Sequence, residues 1–323
     1  MPSKNKATGK AFKFIDLFAG IGGMRLGFES AGGLCVLTSE IDKPALETYA
    51  LNYHPEHPHK YFGDICSIKS SDIPKHDVLV AGFPCQPYSI AGLRKGLKDE
   101  RGTVFLEIIR ILQDTRPKAI LLENVKGILA HDKGATFKYM VSLIEDIGYH
   151  VKFQTLNSMT HGNIPQNRER VFIVGFLSES SARKFEFPDA IPLTKTIADA
   201  IETSLIDPKY FYDDRFDCYA EIKKSVKSSN TLYQWRRQYV RENKSNVCPT
   251  LTANMGSGGH NVPLIKVSNG IRKLTPRECA NFQGFPKGFK LAKISDSKLY
   301  HQFGNSVTVP LIARIARNIA KEL

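Results

Sequence analysis

The sequence predicts an α/β protein: a mostly parallel sheet covered by helices on both faces, with a second, smaller, irregular domain. From residue 12 to about residue 187, short apolar runs alternate with segments of helical periodicity, as in parallel strands joined by helices. After Phe187 and Pro188, turn-forming clusters and scattered aromatic residues replace this pattern, and helical periodicity returns in residues 307–323. We therefore predict one large domain of residues 1–187 and 300–323, a smaller domain of residues 188–270, and a hinge of residues 271–299.

The individual elements follow from the apolar spacing. Six apolar runs predict strands, at residues 13–17, 35–39, 77–81, 119–122, 152–156 and 171–175. Residues 103–114 and 135–147 carry apolar side chains at helical spacing, and Gly148 stands where a left-handed helix cap is expected. Because the tail has one apolar helical face, we expect it to pack back on the large domain.

Charge and composition narrow the class of protein. The chain has 323 residues and a formal net charge of +13, which favours a polyanionic partner: nucleic acid first, an anionic membrane surface second. No apolar run reaches the length of a membrane span, and residues 1–10 are polar and basic, unlike a secretory signal. None of the six cysteines stands in a CxxC or CxxH pair, so the sequence predicts neither a zinc knuckle nor a disulfide scaffold. This cysteine usage favours a reducing cytoplasm.

A glycine-rich turn, DLFAGIGG at residues 16–23, ends the first predicted strand. A dinucleotide site requires a small residue where Arg25 stands, and no Lys-Ser or Lys-Thr pair follows to make a phosphate loop. With these two kinds of site excluded, the glycine-rich turn still fits a site for a nucleoside-type ligand without a pyrophosphate. Glu40, at the end of the second strand, can accept hydrogen bonds from ribose hydroxyls, and Asp64 can hold an exocyclic amine. The alternative is that both are solvated carboxylates at loop starts.

A lone cysteine stands in the turn GFPCQPYS at residues 82–89, directly after an apolar strand. Pro84 and Pro87 restrict the backbone on both sides of Cys85, so the direction of its thiol is fixed. A thiol at the carboxyl edge of a sheet is a candidate nucleophile. A small buried cysteine is the alternative.

Three charged residues stand at the ends of two other predicted strands. Glu123 follows the strand at 119–122, and Arg168 and Arg170 precede the strand at 171–175. Glu123 emerges from an apolar strand, so poor hydration should raise its pKa and let it act as a general acid toward a ring nitrogen. Its alternative is a salt bridge to Lys126. Arg168 and Arg170 fall on the same side of an extended chain and suit a carbonyl oxygen or a phosphate. Their alternative is that they are surface residues on an edge strand.

Together these motifs resemble the DNA (cytosine-5) methyltransferase family of bacterial restriction-modification systems. Six blocks occur in the order of that family: DLFAGIGG, GFPCQ, ENV at 123–125, QNRER at 166–170, RKLTPRE at 272–278 and QFGNSV at 302–307. The resemblance covers nearly the whole chain apart from the N-terminal arm and the irregular middle. It implies a Rossmann-like S-adenosylmethionine-dependent methyltransferase domain, with a target-recognition domain at residues 188–270.

The resemblance also implies the catalytic roles. Cys85 would attack C6 of a flipped-out cytosine and form a covalent adduct, which makes C5 nucleophilic toward a methyl group. Glu123 would hydrogen-bond or protonate N3. Arg168 and Arg170 would steady the loop and contact O2 of the base. The resemblance does not identify the base that removes the C5 proton.

The implied methyl donor is S-adenosyl-L-methionine, with S-adenosyl-L-homocysteine as product, and no metal is implied. Ile41 stands where many relatives carry an aromatic residue, so adenine would pack on an aliphatic surface. The cofactor residues implied are Phe18, Gly20, Ile21, Gly23, Glu40, Ile41, Asp64, Ile65, Pro84, Val104, Asn305, Ser306 and Val307.

Double-stranded DNA is the implied partner, and three segments are predicted to meet it. Residues 86–103 form a mobile basic loop, residues 223–244 carry seven Lys or Arg with Tyr233, Trp235 and Tyr239 among them, and residues 250–260 are rich in Gly, Thr and Asn. Plain solvated loops are the alternative. The predicted DNA-binding residues are Gln86, Ser89, Arg101, Arg236, Arg237, Thr250, Thr252, Asn254, Gly256, Gly258 and Gly259.

The expected setting is a bacterial cytoplasm, with nucleoid association through DNA, a monomeric enzyme and a cognate restriction endonuclease as functional partner. The recognition segment resembles those of enzymes for short GC-rich palindromes of the GGNCC type. Two other functions stay open: a tRNA cytosine-5 methyltransferase and a catalytically inactive DNA-binding relative. Intact Cys85, Glu123 and Arg170 argue against the second.

Overall fold

The structure, a computed structural model, describes residues 11–54, 57–84, 100–243, 245–256 and 261–323, without the side chains of residues 100–103. Five predicted site residues lie outside the described residues: Cys85, Gln86, Ser89, Gly258 and Gly259. The side chain of Arg101 also lies outside them.

A seven-stranded sheet forms the centre of the large domain, in the order β3-β2-β1-β4-β5-β8-β6. Strands β1 to β5 run parallel to one another, and β8 runs antiparallel to both β5 and β6. The predicted α/β class with a mostly parallel sheet is therefore confirmed. The strands up to β8 are β1 (Phe12–Leu17), β2 (Gly33–Ser39), β3 (Lys60–Phe62), β4 (Val78–Gly82), β5 (Ala119–Val125), β6 (His150–Asn157), β7 (Gln166–Asn167) and β8 (Glu169–Phe176).

The helices cover both faces of this sheet. Alternate residues of each strand point to opposite faces, so Ile15 and Leu79 pack beneath α3 and α4, while Phe14 and Val80 pack beneath α1 and α10. Gly148 follows α4 with a φ of +89°, the predicted left-handed cap. The helices are α1 (Gly23–Ser30), α2 (Lys43–Ala50), α3 (Glu100–Thr115), α4 (Ala135–Asp146), α5 (Ser158–Gly162), α6 (Glu179–Lys184), α7 (Tyr219–Ser225), α8 (Pro276–Phe282), α9 (Asp296–Asn305) and α10 (Val309–Lys321).

The end of the predicted basic loop needs correction. Helix α3 begins at Glu100, so residues 100–103, Arg101 included, belong to a helix rather than to a loop. The buried side chains of Phe105 and Ile108 give this helix the face that packs on the sheet.

The region predicted to be irregular contains a second sheet with its own small core. Strands β9 (Tyr233–Trp235), β10 (Val240–Glu242), β12 (Pro263–Val267) and β13 (Gly270–Lys273) form it in the antiparallel order β10-β9-β12-β13. A separate short strand, β11 (Cys248–Pro249), pairs with β7 and ties this region to the large domain. Strand β13 crosses the predicted domain boundary after residue 270, and helix α9 crosses the one after residue 299. The domain boundaries themselves stay a prediction.

Within the part of the chain that the structure describes, no helix combines the length and the apolar character needed to cross a membrane.

Candidate active site

The carboxyl ends of β1, β2, β4 and β5 meet the α9–α10 connection around a cavity of about 350 Å³. This volume falls within the usual range for small-molecule sites. The predicted site residues that line it come from six separate parts of the chain. They are Phe18, Gly20, Ile21, Gly23, Glu40, Ile41, Pro84, Glu123, Arg168, Arg170, Asn305, Ser306 and Val307.

The glycine-rich turn after β1 has a fixed and unusual backbone. Phe18 has a φ of +56°, which a residue with a bulky side chain rarely adopts, and Gly22 has a φ of +82°. A Cβ at Gly22 would lie 2.4 Å from the Tyr53 ring. The hydroxyl of Tyr53 donates to the Gly22 carbonyl at 2.7 Å. Packing therefore holds the turn in one shape, and only glycine fits at residue 22.

Glu40 is held at the wall of the cavity by two backbone donors. Its Oε2 accepts from the N–H of Gly20 at 2.6 Å, and its Oε1 accepts from the N–H of Asp42 at 2.7 Å. Each carboxylate oxygen can accept a further hydrogen bond, and ribose hydroxyls are donors of the required kind.

The residues beside Glu40 suit the rest of a nucleoside. A Cβ at Gly20 would have no described atom within 4 Å, so the turn leaves room beside the carboxylate. Ile21 and Ile41 give the same cavity an apolar wall, and Ile41 is 71% exposed there. A carboxylate, an open glycine and an apolar surface together fit the nucleoside part of S-adenosylmethionine.

Three predicted cofactor residues lie outside the lining of the cavity: Asp64, Ile65 and Val104. Asp64 accepts from the N–H of Cys66 at 2.9 Å and caps the short helix Ile65–Ser67. Ile65 is buried in the core on one face of the sheet, and Val104 is half-buried in α3. Their contact with a cofactor stays a prediction.

Glu123 is buried at the end of β5, 8% exposed, and its Oε1 lies 3.1 Å from Nε of Arg170. The antiparallel register brings the two together, because Arg170 of β8 pairs with Val125 of β5. Burial raises the pKa of Glu123, while the charges of Arg170 and Arg168 oppose that rise. The alternative of a Glu123–Lys126 salt bridge is wrong, since Lys126 pairs with Glu169 at 3.0 Å.

Arg168 is 2% exposed, so the alternative that it is a surface residue is wrong. Its Nη1 donates to the carbonyl of Leu251 at 2.7 Å, and its Nη2 donates to the carbonyls of Gly304 and Ser306 at 3.1 and 2.5 Å. Its buried Nε has no hydrogen-bond partner among the described residues. Arg168 therefore joins its own strand region to two distant backbone segments beside the cavity, at Leu251 and at residues 304–306. Its contact with a base stays a prediction.

Asn124 is a site residue that the sequence analysis did not single out, although it stands next to Glu123. Its Nδ2 donates to the carbonyl of Phe83 at 3.1 Å, and its Oδ1 accepts from the N–H of Val125 at 2.8 Å. It thus fixes the backbone directly before Pro84. The other lining residues that sequence reasoning missed are Ala19, Met24, Asp42, Ala45, Gly82, Phe83, Val125, His301, Gln302 and Gly304.

A second, polar cleft of about 390 Å³ lies between β7 and the sheet of the smaller domain. Four predicted DNA-binding residues line it: Arg236, Thr250, Thr252 and Asn254. The cleft also contains residues that were not predicted to bind DNA, mainly carboxamides that lie far apart along the chain. They are Asn167, Gln234, Arg241, Asn243, Pro249 and Asn261.

The β9–β10 hairpin carries the predicted arginine pair at its tip. The N–H of Arg236 donates to the carbonyl of Tyr239 at 2.9 Å, and Arg237 has a φ of +68°. The interpretation of Tyr233 as an aromatic for DNA contact is wrong, because its side chain is 2% exposed in the small core.

Gly256 has a structural reason to be glycine. Its φ is +80°, and a Cβ there would lie 2.7 Å from the ring of Tyr300. Close packing against α9 thus accounts for this glycine, and its predicted approach to a DNA groove stays a prediction.

The geometry defines a class of enzyme: an α/β protein with a nucleoside-type site beside a buried carboxyl group and two arginines at the same sheet edge. The sequence model of the family described as C-5 cytosine-specific DNA methylase matches residues 12–321. The chain belongs to this family and is a DNA cytosine-5 methyltransferase, an enzyme type that depends on S-adenosylmethionine.

Individual relatives agree with this assignment. The chain is 51% identical to the type II methyltransferase M.Bsp6I of Bacillus sp. (strain RFL6), over 96% of this chain and 99% of that protein. It is 43% identical to the type II methyltransferase M.DsaV of Dactylococcopsis salina, over 96% of this chain and 86% of that protein. The solved S. pombe Dnmt2 methyltransferase has a TM-score of 0.73 at 20% identity, covering 96% of this chain and 98% of that one, and supports the fold.

Proposed function

We propose that this chain is the modification enzyme of a type II restriction-modification system, methylating C5 of a flipped-out cytosine through a covalent adduct between Cys85 and C6. The observation that carries the proposal is that Glu123, paired with Arg170, shares one cavity with Glu40 and with Pro84. The residue that follows Pro84 is Cys85, which lies outside the described residues. The relatives named type II methyltransferases support the restriction-modification setting.

The reaction needs C5 of cytosine, a poor nucleophile, to gain electron density. The Cys85 thiolate adds to C6, the π electrons of the C5–C6 double bond move to form a C4–C5 double bond, those of the C4–N3 double bond move onto N3, and Glu123 donates a proton there. C5 then forms its bond to the methyl carbon as the bond between that carbon and the donor's sulfur breaks, and the sulfur keeps the electron pair of the broken bond. A base takes the C5 proton, the N3 proton returns to Glu123, and elimination of the thiolate restores the aromatic ring and frees Cys85. Arg170, whose Nε lies 3.1 Å from Oε1 of Glu123, holds that carboxyl in place.

S-adenosylmethionine, when bound, supplies an electrophilic methyl group. Glu40 would accept hydrogen bonds from its ribose, and Ile21 and Ile41 would contact its adenine, at the cavity positions described above. The connection of residues 305–307 would close the opposite wall.

Double-stranded DNA would lie across the cavity and the polar cleft. The net charge of +13 favours a polyanion, with Arg236 suited to a phosphate. The amide groups and the Arg241 guanidinium of the cleft are suited to base edges in the major groove, where arginine pairs with guanine. These groups suit a short GC-rich palindrome, of which the GGNCC type is the candidate we propose. Extrusion of the target base would cost a few kcal/mol. We further propose a monomer in a bacterial cytoplasm, bound to the nucleoid through DNA, with a cognate endonuclease as its functional partner.

Tritiated S-adenosylmethionine, offered with unmethylated plasmid or with tRNA, tests the proposal. We expect label in the plasmid only, and bisulfite sequencing of that plasmid would then give the recognition site. Label in tRNA alone would replace the DNA assignment with the tRNA one. Label in neither substrate would favour the inactive DNA-binding relative.

A further inference from the structure

Two segments with different proposed roles lie against each other in the structure. The recognition segment, residues 250–255, contributes three residues to the polar cleft, and the cofactor turn, residues 304–307, lines the cavity. We propose that His301 is a positioning residue that joins the two, so that DNA and cofactor strengthen each other's binding. This inference rests on the proposed function, because it takes the cleft as the DNA site and the cavity as the cofactor site.

His301 contacts both segments through its two ring nitrogens. Nδ1 lies 3.0 Å from the carbonyl oxygen of Ala253, and Nε2 lies 3.0 Å from the side-chain nitrogen of Asn305. A carbonyl only accepts and an amide nitrogen only donates, so this arrangement requires the neutral ring with its proton on Nδ1. His301 thus donates to the recognition segment and accepts from the cofactor turn.

The backbones of the two regions are also in direct contact. A Cβ at Gly304 would lie 2.2 Å from the carbonyl carbon and oxygen of Thr252, so α9 and the recognition segment touch without an intervening side chain. Any displacement of Thr252 toward α9 must therefore displace the end of that helix. The end of the helix leads straight into Ser306 and Val307 of the cavity wall.

Two buried side chains anchor the base of the recognition segment. Arg168 donates to the carbonyl of Leu251 and to the carbonyls of Gly304 and Ser306, while the N–H of Leu251 donates to Oε1 of Gln166 at 3.2 Å. The backbone polar groups of Leu251 are therefore held from both sides. His301 adds a second connection two residues further along, at the exposed rim, where a substitution is compatible with folding.

Shared restraint gives this geometry a thermodynamic consequence. A ligand that restrains either segment acts on the other through these contacts, so the two binding free energies are coupled. The coupling is reciprocal: DNA must raise cofactor affinity by the same factor by which cofactor raises DNA affinity. His301 contributes to that factor through its two hydrogen bonds.

Calorimetry with S-adenosylhomocysteine, in the absence and presence of a duplex carrying the site found by bisulfite sequencing, measures this factor as a ratio of two Kd values. We expect the duplex to tighten binding in the wild type. His301→Phe should lower the ratio by roughly three- to ten-fold, the range that corresponds to one or two lost hydrogen bonds. His301→Gln, which keeps one donor and one acceptor, should restore most of it. His150→Phe, at an exposed histidine on β6, is the matched control and should keep the wild-type ratio.

The ratio separates coupling from plain structural damage, because damage weakens binding by the same factor with and without DNA. An unchanged ratio in His301→Phe, or a wild-type ratio of one, would overturn the inference while leaving the proposed function intact. A wild-type protein that binds no S-adenosylhomocysteine would instead overturn the proposed cofactor site. DNA affinity measured with and without S-adenosylhomocysteine must give the same factor.

Discussion

The cavity and the polar cleft are built in different ways, although both lie near the QNRER segment. The cavity sits at the carboxyl ends of parallel strands, and its charged groups are buried: Glu123 is 8% exposed and Arg168 is 2% exposed. The cleft lies on short strands, the parallel pair β7–β11 and the antiparallel pair β9–β10. Of its residues, Arg236, Arg241 and Thr252 are exposed. Burial shifts pKa values and excludes water, as a reaction site requires, while exposed polar groups can read an extended polymer. Changes in the cavity should therefore alter rate, and changes in the cleft should alter binding.

Replacing the candidate nucleophile should give the largest effect. Cys85→Ala removes the thiolate that adds to C6, so we expect methyl transfer to fall below detection and the covalent trap with 5-fluorocytosine DNA to disappear. Gel electrophoresis under denaturing conditions detects the trapped complex. Cys66→Ala, at an exposed cysteine outside the cavity lining, is the control and should keep both properties. A trapped complex with Cys85→Ala would show that another group is the nucleophile.

Glu123→Gln should lower kcat by about 10²- to 10⁴-fold, the usual contribution of a general acid. Burial raises the pKa of Glu123, and the protonated acid is the active form. The kcat of the wild type should therefore fall as pH rises through the folded-state pKa, and Glu123→Gln should lack that dependence. Steady-state kinetics across pH measures this. Glu169→Gln, at the exposed partner of Lys126, should keep the wild-type profile, and a pH-independent wild type would contradict the role of Glu123.

Asp16, behind the cavity on β1, allows a test of whether burial determines the pKa of a carboxyl group in this part of the protein. It is fully buried, neither carboxyl oxygen has a hydrogen-bond partner among the described residues, and burial raises its pKa to about 8, with Arg25 opposing the rise. A raised folded-state pKa means that stability is fully present below the unfolded value, near 4, and declines as pH rises toward 8.

Asp16→Asn should therefore gain stability relative to the wild type by up to about 1.4 kcal/mol per pH unit across that interval. Chemical denaturation at several pH values gives the difference. A difference independent of pH would mean that Asp16 is ionised in the folded protein.

The smallest effect is expected in the cleft. Arg236→Ala should weaken DNA binding and reduce the slope of log K against log salt by about 0.9, the loss of one phosphate contact. S-adenosylhomocysteine affinity without DNA should not change. Fluorescence anisotropy at several salt concentrations measures the slope, with Arg215→Ala, an exposed arginine paired to Asp213, as the control. An unchanged slope for Arg236→Ala would remove it from the phosphate contacts.

The two regions also differ in how far the sequence predicts them. All six predicted strands form, because runs such as 119–122 are buried on both faces of the sheet and leave a continuous apolar signal. The antiparallel insertion of β8 between β5 and β6 had no such signal, since strand order depends on long-range pairing. The three-residue strands β9 and β10 are too short for a period to be read.

Individual site residues show the same limit. Glu40 and Glu123 could be found because each stands directly after an apolar run. The carbonyl partners of Arg168 lie 83 to 138 residues away along the chain, so only the fold reveals them. No sequence pattern indicates a role for His301, because its partners are the backbone carbonyl of Ala253 and the side chain of Asn305, one turn further along its own helix.

We propose that this cavity methylates C5 of cytosine in DNA. Unmethylated plasmid can be treated with the wild-type enzyme and S-adenosylmethionine, digested to nucleosides and analysed by mass spectrometry against standards. We predict 5-methyl-2′-deoxycytidine from the plasmid and none from a reaction with Cys85→Ala. N4-methylcytosine or N6-methyladenine as the product, or methylation by Cys85→Ala, would contradict the account.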